Sequence, residues 1–207
     1  MRPYLIRPPK VYQWLYSEAI FRMPDNEKVV YLTFDDGPHP EATPYAIDVL
    51  RKHDIKATFF VLGKNVDQHP ELMSRIEIEG HSVGNHGMSH LNGWNTSVED
   101  YLNDAEKGKS ICKSNLFRPA YGKLTYRQYK TLKETEQIIL WDIISGDFDS
   151  AIGGEQVIAN VVNNVRSGSI VVMHDSAKAF NNLKASLSEI IEQLSEKGYR
   201  FSTIEAQ

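Results

Sequence analysis

The segment VVYLTFDDGPHP, residues 29–40, joins an apolar run of strand-forming residues to two adjacent carboxylates and a Gly-Pro turn. The run predicts a buried strand, and the two carboxylates stand at its carboxyl end, where the chain turns. Asp35 and Asp36 raise the cost of each other's ionisation unless a cation or an arginine offsets their charge. The rest of the sequence is therefore expected to supply positive charge near this turn.

Short apolar runs and amphipathic segments alternate along the remaining sequence. Strands are predicted at residues 28–34, 56–62, 81–85, 115–118, 137–143, 169–174 and 200–204. Helices are predicted between them, including one from Pro70 to about Gly80 and one that ends at Gly198. This alternation predicts an α/β fold, a distorted (β/α) barrel of about seven parallel strands with helices outside. An open doubly wound sheet is the alternative.

Two regions of the chain differ in composition. Residues 1–27 are rich in proline and aromatic side chains, which predicts an N-terminal arm that packs on the domain. Residues 28–207 contain no linker, repeat or low-complexity tract and are predicted to form a single domain.

Composition limits the classes of partner. A net charge of −4 gives no general reason to bind nucleic acid or an anionic membrane. No run of eighteen apolar residues is present, so no transmembrane segment is predicted. The first residues do not form a clear signal peptide, so a cytoplasmic location is the default, and association with the cell envelope stays open. Cys112 is the single cysteine, which excludes an internal disulfide and a cysteine-based zinc cluster.

Polar residues follow several of the predicted strands. They are His86 and His90 in GNHGMSH, Arg118 and Tyr121 in FRPAYG, Asp147 in GDFD and His174 in IVVMHD. Each residue alone has a common structural role, such as a turn or a capping residue. Taken together with the paired aspartates, two imidazoles and one carboxylate form a ligand set with open positions, as catalytic zinc requires. The second carboxylate is then available as a general base. An arginine can pair with that base, and a histidine distant in sequence can act as a general acid.

The motifs TFDDGP, H-x-x-x-H, R-P-x-Y and a late apolar strand ending in histidine resemble those of the polysaccharide deacetylases of carbohydrate esterase family 4, the NodB-homology domain. The resemblance covers residues 29–204. It implies a distorted (β/α) barrel enzyme that uses a divalent metal to remove N-acetyl groups from N-acetylglucosamine residues of a glycan, such as peptidoglycan or chitin. The implied metal is Zn²⁺, with Co²⁺, Mn²⁺ and Ni²⁺ as alternatives.

The resemblance also implies roles for individual residues at the metal and the base. Asp36, His86 and His90 match the metal ligands. Asp35 matches the catalytic base, and Arg118 matches the residue that pairs with that base.

Further roles follow for the oxyanion, the acid and the substrate groove. Tyr121 matches the residue whose backbone N–H binds the oxyanion and which contacts the substrate. His174 matches the general acid, and Asp147 is expected to be its carboxylate partner in preference to the nearby Asp142. Val172 is expected beside the acetyl methyl group. Phe148 is expected to line the groove.

The sequence departs from the family pattern at four positions. Gly87 replaces a usual Ser or Thr, and Ala120 replaces a common Pro. Ile144 and Phe148 replace the first Asp and the Trp of the usual D-x-x-D-W motif. A smaller aromatic ring leaves part of the groove wall open, so these departures bear on substrate preference more than on the reaction.

Several other functions are compatible with parts of this pattern. The nearest alternative keeps the fold and acts as a deformylase of a lipid-linked amino sugar or as an amide hydrolase of a small substrate. A carbohydrate-binding protein without turnover is disfavoured because Asp35 and His174 are both present. A phosphatase of the haloacid dehalogenase type needs D-x-D, and an iron oxygenase with the same ligands gives Arg118 and His174 no task.

Overall fold

The computed structural model describes residues 5–24 and 27–205. Eight short strands form one sheet: β1 Val29–Asp35, β2 Thr58–Val61, β3 Ser82–Asn85, β4 Leu116–Phe117, β5 Gln137–Ile138, β6 Ile143–Ile144, β7 Ser169–His174 and β8 Arg200–Phe201. Seven of them run in the order β5-β4-β3-β2-β1-β7-β6, and β8 pairs with β1. Every pairing between these strands is parallel. The predicted distorted (β/α) barrel is confirmed.

Helices cover the outside of this curved sheet. They are α1 Lys10–Leu15, α2 Ala42–Lys52, α3 Gly63–Gln68, α4 Pro70–Ile78, α5 Val98–Cys112, α6 Tyr126–Leu132, α7 Gly154–Val162 and α8 Phe180–Glu196. Two 3₁₀ turns, Gly93–Asn95 and Ala120–Gly122, lie in the loops after β3 and β4. Across the described ranges, none of these helices combines the length and the apolarity that crossing a bilayer requires.

Strand β1 shows how the sequence separates the core from the site. Val30, Leu32 and Phe34 are buried in the cluster that packs the sheet against the helices. Because successive side chains of a strand point to opposite faces, Thr33 and Asp35 point into the barrel. β1 bonds to β2 on one side and to β7 on the other. Its last residues therefore lie at the centre of the barrel mouth.

The predicted strand at 137–143 is wrong as a single element. Gln137–Ile138 pairs with β4 at one edge of the sheet, whereas Ile143–Ile144 pairs with β7 at the other edge. The residues between them carry the chain from one edge to the other. A continuous apolar run indicates burial but not which neighbours each half will pair with. The split follows from those different partners.

The N-terminal residues contain more regular structure than proline content suggests, because α1 lies within them. Ile20 forms a parallel bridge with Ile139, and its backbone oxygen accepts a hydrogen bond of 2.8 Å from Leu140 N. The Tyr16 hydroxyl donates to Leu124 O at 2.7 Å. These contacts place Ile20 along the segment that joins the two sheet edges and Tyr16 against the loop before α6. The division of the chain at residue 27 stays a prediction, and residues 1–4 and 25–26 lie outside the described ranges.

Element boundaries otherwise follow the sequence pattern closely. α4 begins at Pro70, and Gly80 adopts φ +78° just beyond its end. Gly198 has φ +79° just after α8. Both glycines thus take the left-handed conformation that ends a helix.

Candidate active site

The two adjacent carboxylates diverge to different partners. Asp35 ends β1, and its Oδ1 accepts a hydrogen bond of 2.7 Å from Arg118 Nη1. Asp36 lies one residue beyond the strand with φ +78°. Its Oδ1 is 3.1 Å from His90 Nε2 and 3.6 Å from His86 Nε2. The left-handed turn at Asp36 therefore gives each carboxylate its own positive or metal-binding neighbours. These neighbours offset the repulsion between the two adjacent negative charges.

Arg118 is completely buried and held on several sides. Its Nη1 also donates to Thr33 Oγ1 at 2.7 Å, and its guanidinium lies 3.9 Å from the centre of the Phe60 ring. Burial lowers the pKa of Arg118 from its usual value, and the charge of Asp35 opposes that shift. The Asp35 carboxylate is thereby fixed in place by a planar, rigid donor.

Asp36, His86 and His90 form the group that suits a metal ion, since one ligand atom from each lies within 4.8 Å of the others. His86 Nδ1 is 2.8 Å from the backbone oxygen of Arg118. A carbonyl oxygen only accepts, so Nδ1 carries a hydrogen, and in the neutral imidazole Nε2 is then the atom left to bind a metal ion on the side of Asp36. Asp36 Oδ1 is buried without a hydrogen-bond partner. Two electron-rich atoms that face each other in this way fit a divalent cation between them.

The ionisation of Asp36 follows from the same neighbours. Burial raises the pKa of its carboxyl, but the nearby imidazoles of His86 and His90 outweigh burial and hold that pKa well below its usual range. Asp36 is therefore a carboxylate, the form that ligates a metal, at neutral pH.

The loop that carries the two histidines is held by residues that sequence reasoning missed. The Asn85 side chain accepts from Gly87 N and donates to Ala105 O, both at 2.8 Å. Asp104 Oδ2 accepts from Met88 N at 2.9 Å. Gly87 has φ +84°, and a Cβ there would lie 2.8 Å from the Asp104 carboxylate. Glycine at this position therefore matches the turn geometry that the loop adopts.

His174 and Asp147 form a second polar pair across the mouth of the barrel. Asp147 accepts from His174 Nδ1 and from His174 N, each at 2.7 Å. Burial lowers the pKa of His174, but the charge and hydrogen bond of Asp147 outweigh it and raise that pKa to about 9. His174 is therefore protonated at neutral pH. Asp142 lies elsewhere, where it accepts from Arg166 Nη2 and Ser169 Oγ at 2.7 Å.

Asp175 supports the turn that carries the paired aspartates. Its backbone N–H donates to Asp35 O at 3.1 Å, and its Oδ2 accepts from Thr43 Oγ1. Burial raises the pKa of this carboxyl to about 8. A Cβ on Gly37 would lie only 2.1 Å from Asp175 Oδ2, so glycine is required where the turn crosses this side chain.

The remaining predicted residues lie close to His90 or to His174. Tyr121 has φ +59°, and its ring centre is 4.4 Å from that of His90. The Phe148 ring is 5.2 Å from the His174 ring. Val172 is buried on β7 two residues before His174, on the same face of the strand. Ile144 lies on β6, where its N–H donates to Ile6 O.

Thr33, Asn85 and Asp104 carry no motif that marks them in the sequence. Thr33 lies inside a strand, and Asp104 reaches the histidine loop from α5. Asn85 directly precedes His86, but a single asparagine at a strand end is ordinarily a turn residue. Only the three-dimensional contacts reveal their support of the site.

A parallel barrel with an Asp-His-His ligand set, a buried Asp-Arg pair and a His-Asp pair at one mouth defines a hydrolase of the metal-dependent class. The sequence profile of the polysaccharide deacetylase family matches residues 22–137. The chain belongs to this family.

Two known proteins are similar over nearly the whole chain. A peptidoglycan-N-acetylglucosamine deacetylase of Bacillus cereus is 39% identical over 191 residues, which are 89% of this chain and 90% of that protein. A crystal structure of a peptidoglycan N-acetylglucosamine deacetylase in complex with an N-hydroxybenzamide compound superimposes with a TM-score of 0.88 at 33% identity, covering 95% of each chain.

A third similar structure is a pseudoenzyme. The protein from Bacillus anthracis, described as a carbohydrate esterase family 4 pseudoenzyme, superimposes with a TM-score of 0.80 at 26% identity and covers 90% of this chain and 67% of its own. Similarity of fold thus extends to a protein described as a pseudoenzyme, so fold alone does not indicate catalysis and the residues at the barrel mouth decide it.

Proposed function

We propose that this protein removes acetyl groups from N-acetylglucosamine residues of peptidoglycan, releasing acetate and a free amino sugar. The observation that carries the proposal is the convergence of three groups at one barrel mouth: the Asp36-His86-His90 ligand set, the Asp35–Arg118 ion pair and the His174–Asp147 pair. Its similarity to the Bacillus cereus deacetylase along nearly the full length of both proteins supports the choice of substrate.

Asp36, His86 and His90 would hold the metal. When bound, a divalent cation supplies Lewis acidity to the amide carbonyl and to the attacking water. We propose zinc, because two imidazoles and one carboxylate with open positions suit a catalytic zinc site. Cobalt, manganese and nickel are the alternatives for the same ligands.

Proton transfer is assigned to the groups on either side of the ligand set. Asp35 accepts the proton of the attacking water, and Arg118 keeps its carboxylate oriented. The backbone N–H of Tyr121 donates to the oxyanion as the carbonyl carbon becomes tetrahedral. His174, protonated because Asp147 raises its pKa to about 9, donates a proton to the leaving nitrogen. An amine leaves readily only after this protonation.

The substrate also bears on location. Peptidoglycan lies in the cell envelope, and we propose that the protein acts there. The proposed substrate therefore does not favour the cytoplasmic location that we took as the default from the sequence.

Acetate release from a panel of glycans tests the proposal. The protein is stripped of metal, reloaded with zinc, cobalt, manganese or nickel, and incubated with peptidoglycan, chitin oligomers and an N-formylated amino sugar. Acetate from peptidoglycan that depends on added metal and is lost in Asp35→Asn supports the assignment. Formate release without acetate release would instead identify the deformylase alternative. Failure to release either product with any metal would overturn the proposed function.

A further inference from the structure

Two exposed aromatic side chains lie beside the candidate active site, in the loops after β3 and β4. Trp94 is 56% exposed and Tyr121 is 59% exposed. The Lys123 ammonium nitrogen is 5.0 Å from the centre of the Trp94 ring and 6.0 Å from the centre of the Tyr121 ring. One cation therefore lies against both rings, and the three side chains form a single surface, which we call the aromatic platform.

The platform is held in place by the backbone beneath it. Trp94 Nε1 donates to Leu124 O at 3.2 Å, and Trp94 N donates to the Asn92 side chain at 3.1 Å. Gly93 N donates to Lys123 O at 3.2 Å. A Cβ on Gly93 would lie 2.5 Å from that same oxygen. The two loops are thus packed as one unit, and the indole is fixed in its exposed position before any ligand arrives.

The platform continues directly from the ligand set. The Tyr121 ring is 4.4 Å from the His90 ring, and the His90 ring is 5.1 Å from the His86 ring. A glycan whose acetyl group reaches the metal ligands would extend its next sugars over this surface or away from it. The surface offers the apolar ring faces that match the C–H face of a pyranose, together with a positive charge.

We propose that Trp94, Tyr121 and Lys123 form a subsite for a sugar residue next to the one that is deacetylated. The rings stack on the sugar, and Lys123 binds a carboxylate carried by the glycan. This rests on the proposed function and narrows it, because peptidoglycan strands carry carboxylates on their lactyl groups or peptides, whereas chitin is neutral. An acidic glycan is therefore the preferred substrate over a chitin oligomer of equal length.

The test compares substrates of different length and charge across matched variants. Trp94→Ala removes the ring, Trp94→Phe restores an aromatic face, and Lys123→Met keeps the chain but removes the charge. Trp14→Ala is the control, because Trp14 is 79% exposed on α1 and lies two residues from both Tyr12 and Tyr16, which face the Gly122–Leu124 backbone. Two residues correspond to about 200° around a helix, so Trp14 lies on the face of α1 opposite to Tyr12, whose hydroxyl donates to Gly122 O.

Trp94→Ala is expected to lower kcat/KM for a tetrasaccharide about tenfold, the loss of one stacking contact, while a disaccharide is processed as before. Trp94→Phe recovers most of the loss, and Trp14→Ala shows none. Lys123→Met lowers kcat/KM for strands with lactyl carboxylates or attached peptides, and the two substrate arms identify which carboxylate is bound. If Trp94→Ala affects long and short substrates equally, the proposed stacking of the rings on a sugar is wrong. If Lys123→Met affects acidic and neutral glycans equally, the proposed binding of a carboxylate by Lys123 is wrong.

Binding measured by calorimetry with metal-free protein separates this inference from the proposed function. If no glycan is deacetylated, yet the tetrasaccharide binds the wild type and binds Trp94→Ala about tenfold more weakly, the subsite stands and the deacetylase assignment fails. If acetate is released normally but Trp94→Ala binds and turns over the tetrasaccharide like the wild type, the subsite is wrong and the proposed function stands.

Discussion

His86 donates its Nδ1 hydrogen to the backbone oxygen of Arg118 at 2.8 Å, while the Arg118 side chain bonds Asp35 at 2.7 Å. One residue therefore orients both a metal ligand and the group assigned as the base. A shift of Arg118 would turn the His86 ring and displace the Asp35 carboxylate together. The metal site and the base are mechanically linked through this residue.

The paired aspartates are expected to fail in different ways when each is replaced by its amide. Asp35→Asn keeps the ligand set, so metal stays bound while turnover falls by ~10²-fold or more, the usual scale for a general base. Asp36→Asn removes an anionic ligand, so metal affinity falls first and activity returns in part at high zinc. Metal content and acetate release are measured side by side. Loss of metal in Asp35→Asn with retention in Asp36→Asn would reverse the roles.

The stability of Asp35→Asn tests, independently of activity, how much the Asp35–Arg118 ion pair contributes to folding. Relief of crowding between adjacent carboxylates would raise stability, and from the sequence alone we expect it to offset the lost contact with Arg118. Arg118 is fully buried, however, and Asp35 is the one carboxylate within the described ranges that pairs with it, so this variant leaves a buried positive charge without that partner. We expect the free energy of unfolding to fall by about 3 kcal/mol, as for other broken buried ion pairs. Denaturant unfolding of the metal-free proteins measures this, and an unchanged midpoint would show that the ion pair contributes little.

One divalent metal ion per chain is expected. His86→Ala should lower the bound metal by close to one equivalent in elemental analysis. His53→Ala is the control, because His53 contacts Ser188 at the far end of α2 and is not part of the ligand set. Equal metal content in wild type and His86→Ala would contradict the assignment of the three ligands.

The pH profile of turnover is expected to depend on Asp147. His174 has its pKa raised to about 9, so its protonated form, which the acid step needs, is present at neutral pH and is lost as the pH rises through that value. Asp147→Asn removes the largest of the charges that raise this pKa, so the lowering effect of burial counts for more and the pKa falls. The alkaline limb of kcat should move to lower pH by more than about one unit.

Asp142→Asn is the matched control for that profile. Asp142 is also a buried carboxylate, but it pairs with Arg166 and does not contact His174. Its replacement should lower stability and leave the position of the alkaline limb in place. An identical limb in wild type and Asp147→Asn would show that His174 is not the acid or that Asp147 does not tune it.

Phe148 is expected to shape the substrate groove, since its ring is 5.2 Å from the ring of His174. Phe148→Trp enlarges the ring beside the acid and should change the ranking of glycan substrates while metal content stays the same. Phe201→Trp, on β8 near the opposite end of the barrel, should change neither. The readout is kcat/KM across the glycan panel, and an unchanged ranking in Phe148→Trp would place the residue outside the groove.

The fold class, and the position of the motif residues at one end of the sheet, could be predicted from the sequence because the signals for both are local. The strand pattern and the candidate catalytic residues at its end, Asp35 and Asp36 or His174, lie within a few residues of each other in the sequence. Contacts between distant elements have no such signal. Asp104 supports the histidine loop from a different helix, and the apolar run at 137–143 does not reveal that its two halves pair with opposite edges of the sheet.

Three residues of the site, Asp36, His90 and Tyr121, have positive φ without being glycine. Each such residue costs about 1 kcal/mol of folding free energy. A screen that selects only for heat resistance would therefore enrich glycine at these positions. The stabilised variants would then lack the side chains that the site needs. Asp54 and Lys113 have φ of +53° and +52° away from the barrel mouth, and replacing them by glycine offers thermostability from the same source while leaving the catalytic side chains intact.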